Sequence, residues 1–337
     1  MSSVTLWFNP NGRRSNEYSE KPLMGHNGAH TALWTGILKR IGLGLLTLWG
    51  ASVITFALMF LVPADPAQSI GGEHATADVI RNIRAKYHLN EPAVVQYGYF
   101  ISDVLHNELR SYRNEEKVLD TIARRFPATL TLALAGLAVW MLISIPLGTL
   151  TAKYSGSVFD RTALVLGLVA ISIPTFLLGR VLQRYLGYKW GLFSVGGDAS
   201  LWNLPLPAMT LGLGGAAYYS RLLHANLRGI LGENYIRAAR ARGLAERVVL
   251  GKHALKNALI PLITILGMDI ASLLSGLIFT EKIFGWPGIG SLAVDSITNQ
   301  DRPVIMGTVL FAAAMVVVMN LLVDIAYRFI DPRVRVD

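Results

Sequence analysis

Six stretches of the chain are apolar for long enough to cross a hydrocarbon core of about 30 Å, which takes about 20 residues of helix. The first, Ile41 to Val62, holds no charged residue and ends where Pro63-Ala64-Asp65-Pro66 stops a helix. The second opens at Pro127, a favoured first helical residue, and continues uncharged to Ala152. The third runs from Thr162 to about Leu182, with Pro174 inside it and Arg180 near its end. The fourth covers about Leu204 to Tyr219 and the turn beyond, and is rich in small residues: Gly212, Gly214, Gly215, Ala216 and Ala217. The fifth, about Ala258 to Thr280, is interrupted only by Asp269, and the sixth runs from about Val304 to Val323. Backbone groups in lipid must be satisfied within their own segment, so each span is expected as a helix. The predicted fold class is all-α: a polytopic membrane protein with six transmembrane helices.

The segments between the spans set the rest of the layout. Residues 1–35 are too polar, and too poor in an apolar block, for a secretory signal peptide, and the first span is longer than a signal's apolar core. It is expected as a retained helix within residues 36–62, behind a polar extension over 1–35. The loop over 63–126 repeats apolar residues at helical spacing (Val79, Ile80, Ile83; Val94, Tyr97, Ile101; Val118, Leu119, Ile122), which predicts short amphipathic helices on the membrane face. Residues 127–330 form a five-helix core with a polar loop at 225–257, and 331–337 a tail.

Composition agrees with lipid as a second solvent: 52% of residues are hydrophobic, 16% are charged, and mean hydropathy is +0.43. With no cysteine, disulfides, thiolate metal sites and cysteine nucleophiles are excluded. The net charge of +9 is accounted for by topology. With both termini on one side, that side collects 18 Lys and Arg, against Lys189, Lys282 and Arg302 in the short loops opposite. Positive charge marks the cytoplasmic side, so both termini are expected there, in a bacterial plasma membrane, with no nucleic acid needed to explain the charge.

Eight of those charges lie between the fourth and fifth spans. In Glu233–Pro261, Glu233 and Arg237 are spaced to pair at i,i+4, the alanine-rich run to Arg242 favours helix, and Gly243 permits a turn into a second short helix. Composition alone is also consistent with a solvated orientation signal. The order of residues goes further: Arg237-Ala238-Ala239, three residues, Gly243, then an amphipathic helix into Ile260-Pro261 resembles the coupling loop of ATP-binding-cassette importer permeases. Arg237 stands where the general pattern has Glu, and the interval from Gly243 to Pro261 is longer. Both departures fit the dipeptide, oligopeptide and nickel branch. That likeness continues in Leu61-Val62-Pro63-Ala64-Asp65-Pro66, Pro127-Ala128-Thr129-Leu130, Ile173-Pro174-Thr175-Phe176, Ile283 to Gly290, Asn320 to Asp324 and Asp331-Pro332-Arg333.

The resemblance implies a type I importer permease fold. It implies a homologous second permease subunit, two cytoplasmic ATPase subunits carrying ATP and Mg, and an extracytoplasmic solute-binding protein. The docking segment it implies is Arg237, Ala238, Ala239, Arg240, Ala241, Arg242, Gly243, Leu244, Ala245 and Glu246. The chain itself is expected to bind no cofactor and to hydrolyse nothing. A phosphate-cradling loop needs Gly, four residues, then Gly-Lys-Ser/Thr, whereas Gly251-Lys252 is followed by His253 and has Glu246 in place of the first Gly. The seven histidines show no metal spacing, so no metal site is expected.

Polar residues within the spans carry the remaining candidates. A carboxylate at mid-membrane costs about 2.5–3.5 kcal/mol or more unless it faces protein or water, so Asp269 is expected to point inward. With Ser272 and Ser275 it either lines the translocation pathway or is satisfied by a neighbouring helix. Arg180 and Arg184 either snorkel to the interface or touch solute. Asn320 and Asp324 are read as packing locks, Gly212, Gly214 and Gly215 as a close helix contact or hinge. Trp286-Pro287-Gly288 is an external turn that either caps the pathway and meets the binding protein or is structural. The function read from the whole is a permease subunit importing di- or oligopeptides; nickel or another small solute is the alternative within the family. A self-contained secondary transporter leaves the coupling loop unexplained, and a membrane enzyme lacks a catalytic cluster.

Overall fold

The computed structural model describes residues 26–61, 65–72, 74–274 and 277–330. Most of the polar extension, the tail 331–337 and Ser275 lie outside the described residues. The chain divides into two compact units, residues 1–44 and 45–337. In the first, the described part is the opening of helix α1 (His26–Leu61). The second holds the rest of α1 and every other element. Among the described residues the regular elements are helices, apart from one isolated bridge between Arg110 and Lys117.

Among the described residues, four helices are long and apolar enough to cross a bilayer: Leu38–Phe60 within α1, α5 (Val118–Lys153), Glu246–Gly267, and Arg302–Val323 at the start of α14 (Arg302–Ile330). A bent pair adds a fifth. The expected fourth span is the first part of α8 (Pro205–Leu231), a 27-residue helix whose Gly, Pro, Tyr and Ser content keeps it out of that apolar set.

Several boundaries differ from expectation for identifiable reasons. Pro127 does not open the second span; it lies inside α5, which begins nine residues earlier at Val118. Val118 and Ile122 are buried against Ile289 and Val304, so tertiary burial holds the turns that proline weakens. The third span is broken. α6 (Val158–Ser172) and α7 (Thr175–Leu182), continued by a π-helical segment Gln183–Lys189, meet at a 102° bend. The residue before a proline is pushed to extended backbone, and Ile173 has φ −80°, ψ 121°. The fifth span starts earlier, through α10 (Glu246–Val248) and a π-helical turn Val249–Leu255, and α11 (Lys256–Leu274) ends before Thr280, which belongs to α12 (Ile278–Phe284).

Between α1 and α5 lie α2 (Pro66–Gly71), α3 (Ala77–Lys86) and α4 (Ala93–Leu105). Asp65 caps α2 by accepting from Ala67 N at 3.0 Å and pairs with Arg84 of α3 at 2.5 Å. That guanidinium holds the Asp65 carboxyl below its usual range. α4 packs on α1 through Phe56 against Tyr97 and Phe100, and Tyr97 Oη lies 2.8 Å from Ser52 Oγ.

The core is built around α5 and α8. A Cβ on Gly215 would sit 2.0 Å from Trp140, and one on Gly212 2.4 Å from Val139, whereas Gly214 faces open space. Two of the three expected small-residue contacts are therefore real. Trp140, Tyr219, Leu223 and Leu227 continue this core toward the basic loop, where Ile236, Val249, Ala254 and Ala258 complete it.

Candidate functional site

The basic loop folds as the short-helix, turn, short-helix unit expected. α9 (Asn234–Ala241) ends at Arg242, Gly243 takes φ +79°, and α10 follows at Glu246. The left-handed backbone at Gly243 is open to glycine at little cost and strained for other residues. The expected pair between Glu233 and Arg237 does not form among the described contacts. Glu233 is the N-cap, with extended backbone (φ −71°, ψ 151°), and it meets Arg237 through its carbonyl, which accepts from Arg237 N at 3.2 Å. Arg237 instead donates to the Gly232 carbonyl at 3.2 Å. A bidentate pair stands in its place: Arg240 Nε and Nη2 donate to the two Glu246 carboxylate oxygens at 3.1 and 2.7 Å, across the Gly243 turn. Glu246 holds the Arg240 guanidinium above its usual pKa.

Residues 240–247 are all exposed, and Leu244 presents an apolar side chain 40% exposed at the tip. Ala239, counted with the docking segment, faces inward and is buried. The underside is locked into the bundle: Ile236, Val249 and Ala254 are fully buried against Leu223 and Leu227 of α8. Asn257 of α11 donates to Tyr235 Oη of α9 at 2.9 Å. An exposed tip on a buried base is therefore rigidly joined to α8 and α11. His253 lies half-buried on the π-helical turn, and its carbonyl accepts from Asn257 at 3.3 Å.

Asp269 of α11 accepts a hydrogen bond from Tyr219 Oη of α8 at 2.7 Å. Tyr219 is fully buried, with its ring edge-on to Trp140 of α5 at 4.8 Å, so one side-chain chain crosses three helices. This is the neighbouring-helix partner that sequence left open; Asp269 remains half-buried, with part of its surface accessible. The side chain of Ser272 lies outside the described residues, as does that of Asp324, while Asn320 is exposed on α14. Toward the end of the third span, Arg180 and Arg184 are exposed, and Arg180 donates to Gln183 at 3.1 Å. Gln183 is buried and donates to the Val195 and Ile283 carbonyls, both at 3.1 Å.

Trp286 is fully buried and donates to the Ala128 carbonyl at 2.8 Å, so it does not face a binding protein; the structural reading of this turn is the one the packing supports. Beside it lies a residue that sequence reasoning missed. Glu281 is fully buried, accepting from Thr129 Oγ1 at 2.7 Å and from Ser291 N at 2.9 Å, with Gly290 N as a further donor. Ile289 N donates to Thr129 Oγ1 at 2.8 Å. The first amides of α13 (Ile289–Thr298) are thus satisfied by Glu281 and by α5. Burial pushes the Glu281 carboxyl up, against the pull of these donors. Its only sequence signal was a lone acid at the end of an apolar run. A second missed pair is His224 on α8 and Asp160 at the head of α6, both buried and 3.4 Å apart. Among the described residues no group of three His, Cys, Asp or Glu is placed to hold a metal.

Comparison with known proteins adds the family. Residues 144–336 match the family described as the binding-protein-dependent transport system inner membrane component, and residues 34–133 match the N-terminal portion of such membrane components. The chain is 34% identical to the dipeptide transport system permease protein DppB of Escherichia coli (strain K12), over 89% of this chain and 98% of that protein. It is 36% identical to the glutathione transport system permease protein GsiC of Escherichia coli O6:H1, over 89% and 98% respectively.

Proposed function

The chain belongs to the family of inner membrane components of binding-protein-dependent transport systems, and on that premise we propose that it is the permease subunit of an ATP-driven peptide importer. It is a multi-pass inner-membrane protein without catalysis of its own. Its partners are a homologous second permease, two cytoplasmic ATPase subunits that carry ATP and Mg, and an extracytoplasmic binding protein. The distribution of Lys and Arg supports both termini, and the 225–257 loop, being cytoplasmic. Relatives named for dipeptide and glutathione transport support peptides as the cargo.

One observation carries the coupling role: the exposed Arg240–Glu246 turn rests on a base buried against α8. A bundle packed at interior density does not deform smoothly, so a pull on this turn is passed to α8 and α11 as rigid-body motion. Arg237 through Glu246 form the docking segment, Arg240 and Glu246 clasp it, and Gly243 permits its turn. Asp269, with Ser272 and Ser275, is assigned to the pathway wall. The test is a reconstituted complex in which Gly243→Asp or Arg240→Glu is introduced. Loss of ATP-driven peptide uptake with retained assembly is expected. Unchanged uptake and unchanged transporter-stimulated ATP hydrolysis would overturn the docking assignment.

A further inference from the structure

Residues 45–52 of α1, the end of α4, the first turns of α5 and residues 307–314 of α14 enclose a cleft of about 460 Å³, within the range of small-molecule sites. Its walls are apolar, with Trp49, Ile101, Val104, Ile122, Leu310 and Phe311 among them. Gly307 brings α14 against the start of α5, where a Cβ would sit 2.4 Å from Val118. Two turns further along α14, Ala314 leaves room that a larger side chain would fill. An empty space of this size forfeits dispersion contacts on every wall, and water placed in it would find few partners. Ser52, Asp103 and Asn107 are the polar residues along it, and the Ser52 hydroxyl is already engaged with the Trp49 carbonyl and Tyr97 Oη. The occupant is therefore apolar. Three of the four walls belong to helices long and apolar enough to cross a bilayer, so the medium around them is acyl chain.

Asp103 narrows the choice of lipid. Among the described residues, no Lys or Arg lines the cleft and Asp103 makes no salt bridge. The groups that act on its charge are His88 and His106, which favour it, and Glu108, which opposes it. Each is engaged elsewhere. The His88 ring stacks on Tyr99 at 4.1 Å, His106 Nδ1 lies 2.8 Å from the Ser102 carbonyl, and Glu108 pairs with Arg110 and Lys117. Burial pushes the Asp103 carboxyl above its usual range, the direction taken when desolvation outweighs the neighbouring groups. An acidic group beside an apolar cleft disfavours an anionic lipid and favours one that carries an ammonium group.

We propose that this cleft holds one membrane phospholipid, with an acyl chain between α1, α5 and α14 and an ethanolamine ammonium against Asp103. The ammonium donates to the carboxylate, and the chain supplies the contacts that the walls otherwise lack. The lipid fills the joint at which α1 and α4 meet α5 and α14.

The test uses the full chain purified in mild detergent with any subunits that accompany it, then delipidated. Native mass spectrometry follows the binding of phosphatidylethanolamine and phosphatidylglycerol with matched acyl chains. One phosphatidylethanolamine should bind per chain, about tenfold or more tightly than phosphatidylglycerol, the scale of one charge-assisted hydrogen bond. Asp103→Asn should bring the two lipids to similar affinity. Ala314→Trp, which fills the cleft, should weaken both by about tenfold or more, as losing contact for two CH₂ groups would. Equal affinity of the two lipids for the wild type, a preference that survives Asp103→Asn, or unaltered lipid binding in a folded Ala314→Trp variant would each overturn the site. So would wild-type protein that takes up lipid only after an accompanying subunit is stripped away, because that subunit would then be the occupant. Where Ala314→Trp fails to fold, the lipid preference of Asp103→Asn decides the matter alone.

Discussion

Thr129 on α5 donates its hydroxyl to the Glu281 carboxylate at 2.7 Å, across 152 residues of chain. Together the two side chains satisfy the first amides of α13, so they tie the segment after the fifth span to the first half of α5. Glu281→Ala strands the Thr129 hydroxyl and the amides of Gly290 and Ser291 in a buried site. Each unsatisfied donor costs about 1–3 kcal/mol, so a loss of at least about 3 kcal/mol is expected. Thr129→Val should cost less, because Ser291 N still reaches Glu281. Thermal melting of the purified complex measures both, and equal melting of wild type and Glu281→Ala would refute the tie.

The same carboxylate gives a pH signature. Burial raises its native pKa, so between the ordinary carboxylate value and that raised value the folded protein binds the proton and the unfolded chain does not. Its contribution to stability is therefore full below the unfolded value and falls as pH rises through the native one. Glu281→Gln removes the titration. The difference in melting temperature between this variant and wild type should shift in the variant's favour as pH rises from about 4.5.

At the Gly243 turn, the Arg240–Glu246 clasp is exposed, so breaking it should change global stability by no more than about 1 kcal/mol. Its effect belongs to the shape of the turn. Arg240→Glu places like charges across Gly243 and should abolish uptake while leaving the melting temperature nearly unchanged. The exchange Arg240→Glu with Glu246→Arg restores the pair in reverse and should recover most of the uptake. A double variant as inactive as the single one would mean that the partner reads the arginine itself.

What sequence could reveal depended on how local each determinant is. The Gly243 turn and its two flanking helices were legible because glycine and helix propensity act within a few residues. The break at Ile173 has a local cause in Pro174, but the apolar run around it is long enough for one unbroken span and masks the bend. The start of α5 is not a local property: Pro127 marks a favoured first turn, but burial of Val118 and Ile122, whose partners lie far along the chain, extends the helix past it. Glu281 needs Thr129, Asp269 needs Tyr219 and Asp301 needs Ser111, and no periodicity within one segment predicts such pairs.

The contact of α5 with α8 makes a sharp contrast between neighbouring glycines. Gly215→Ala drives a Cβ into the rigid Trp140 ring, 2.0 Å from Cε2, and must part the helices. Overpacking of this kind costs about 1–3 kcal/mol or more. Gly214→Ala meets nothing within 4 Å and should be neutral or gain up to about 1 kcal/mol of helix stability. Melting temperatures of the two variants should move in opposite directions, and similar values would mean that α5 and α8 are not packed this closely.

Tyr219 and Asp269 separate structure from transport. Tyr219→Phe keeps the ring against Trp140 but leaves Asp269 without its donor, an expected loss of about 1–3 kcal/mol. Asp269→Asn keeps an acceptor for the Tyr219 hydroxyl, so the complex should assemble and melt near the wild-type temperature. If the half-buried carboxylate faces the pathway, removing its charge should alter uptake of peptides with a free amino group more than uptake of their N-acetylated forms. Initial rates for dialanine and N-acetyl-dialanine in proteoliposomes compare the two. An unchanged ratio with normal assembly would leave Asp269 as a packing residue bound to Tyr219 and take it out of the pathway.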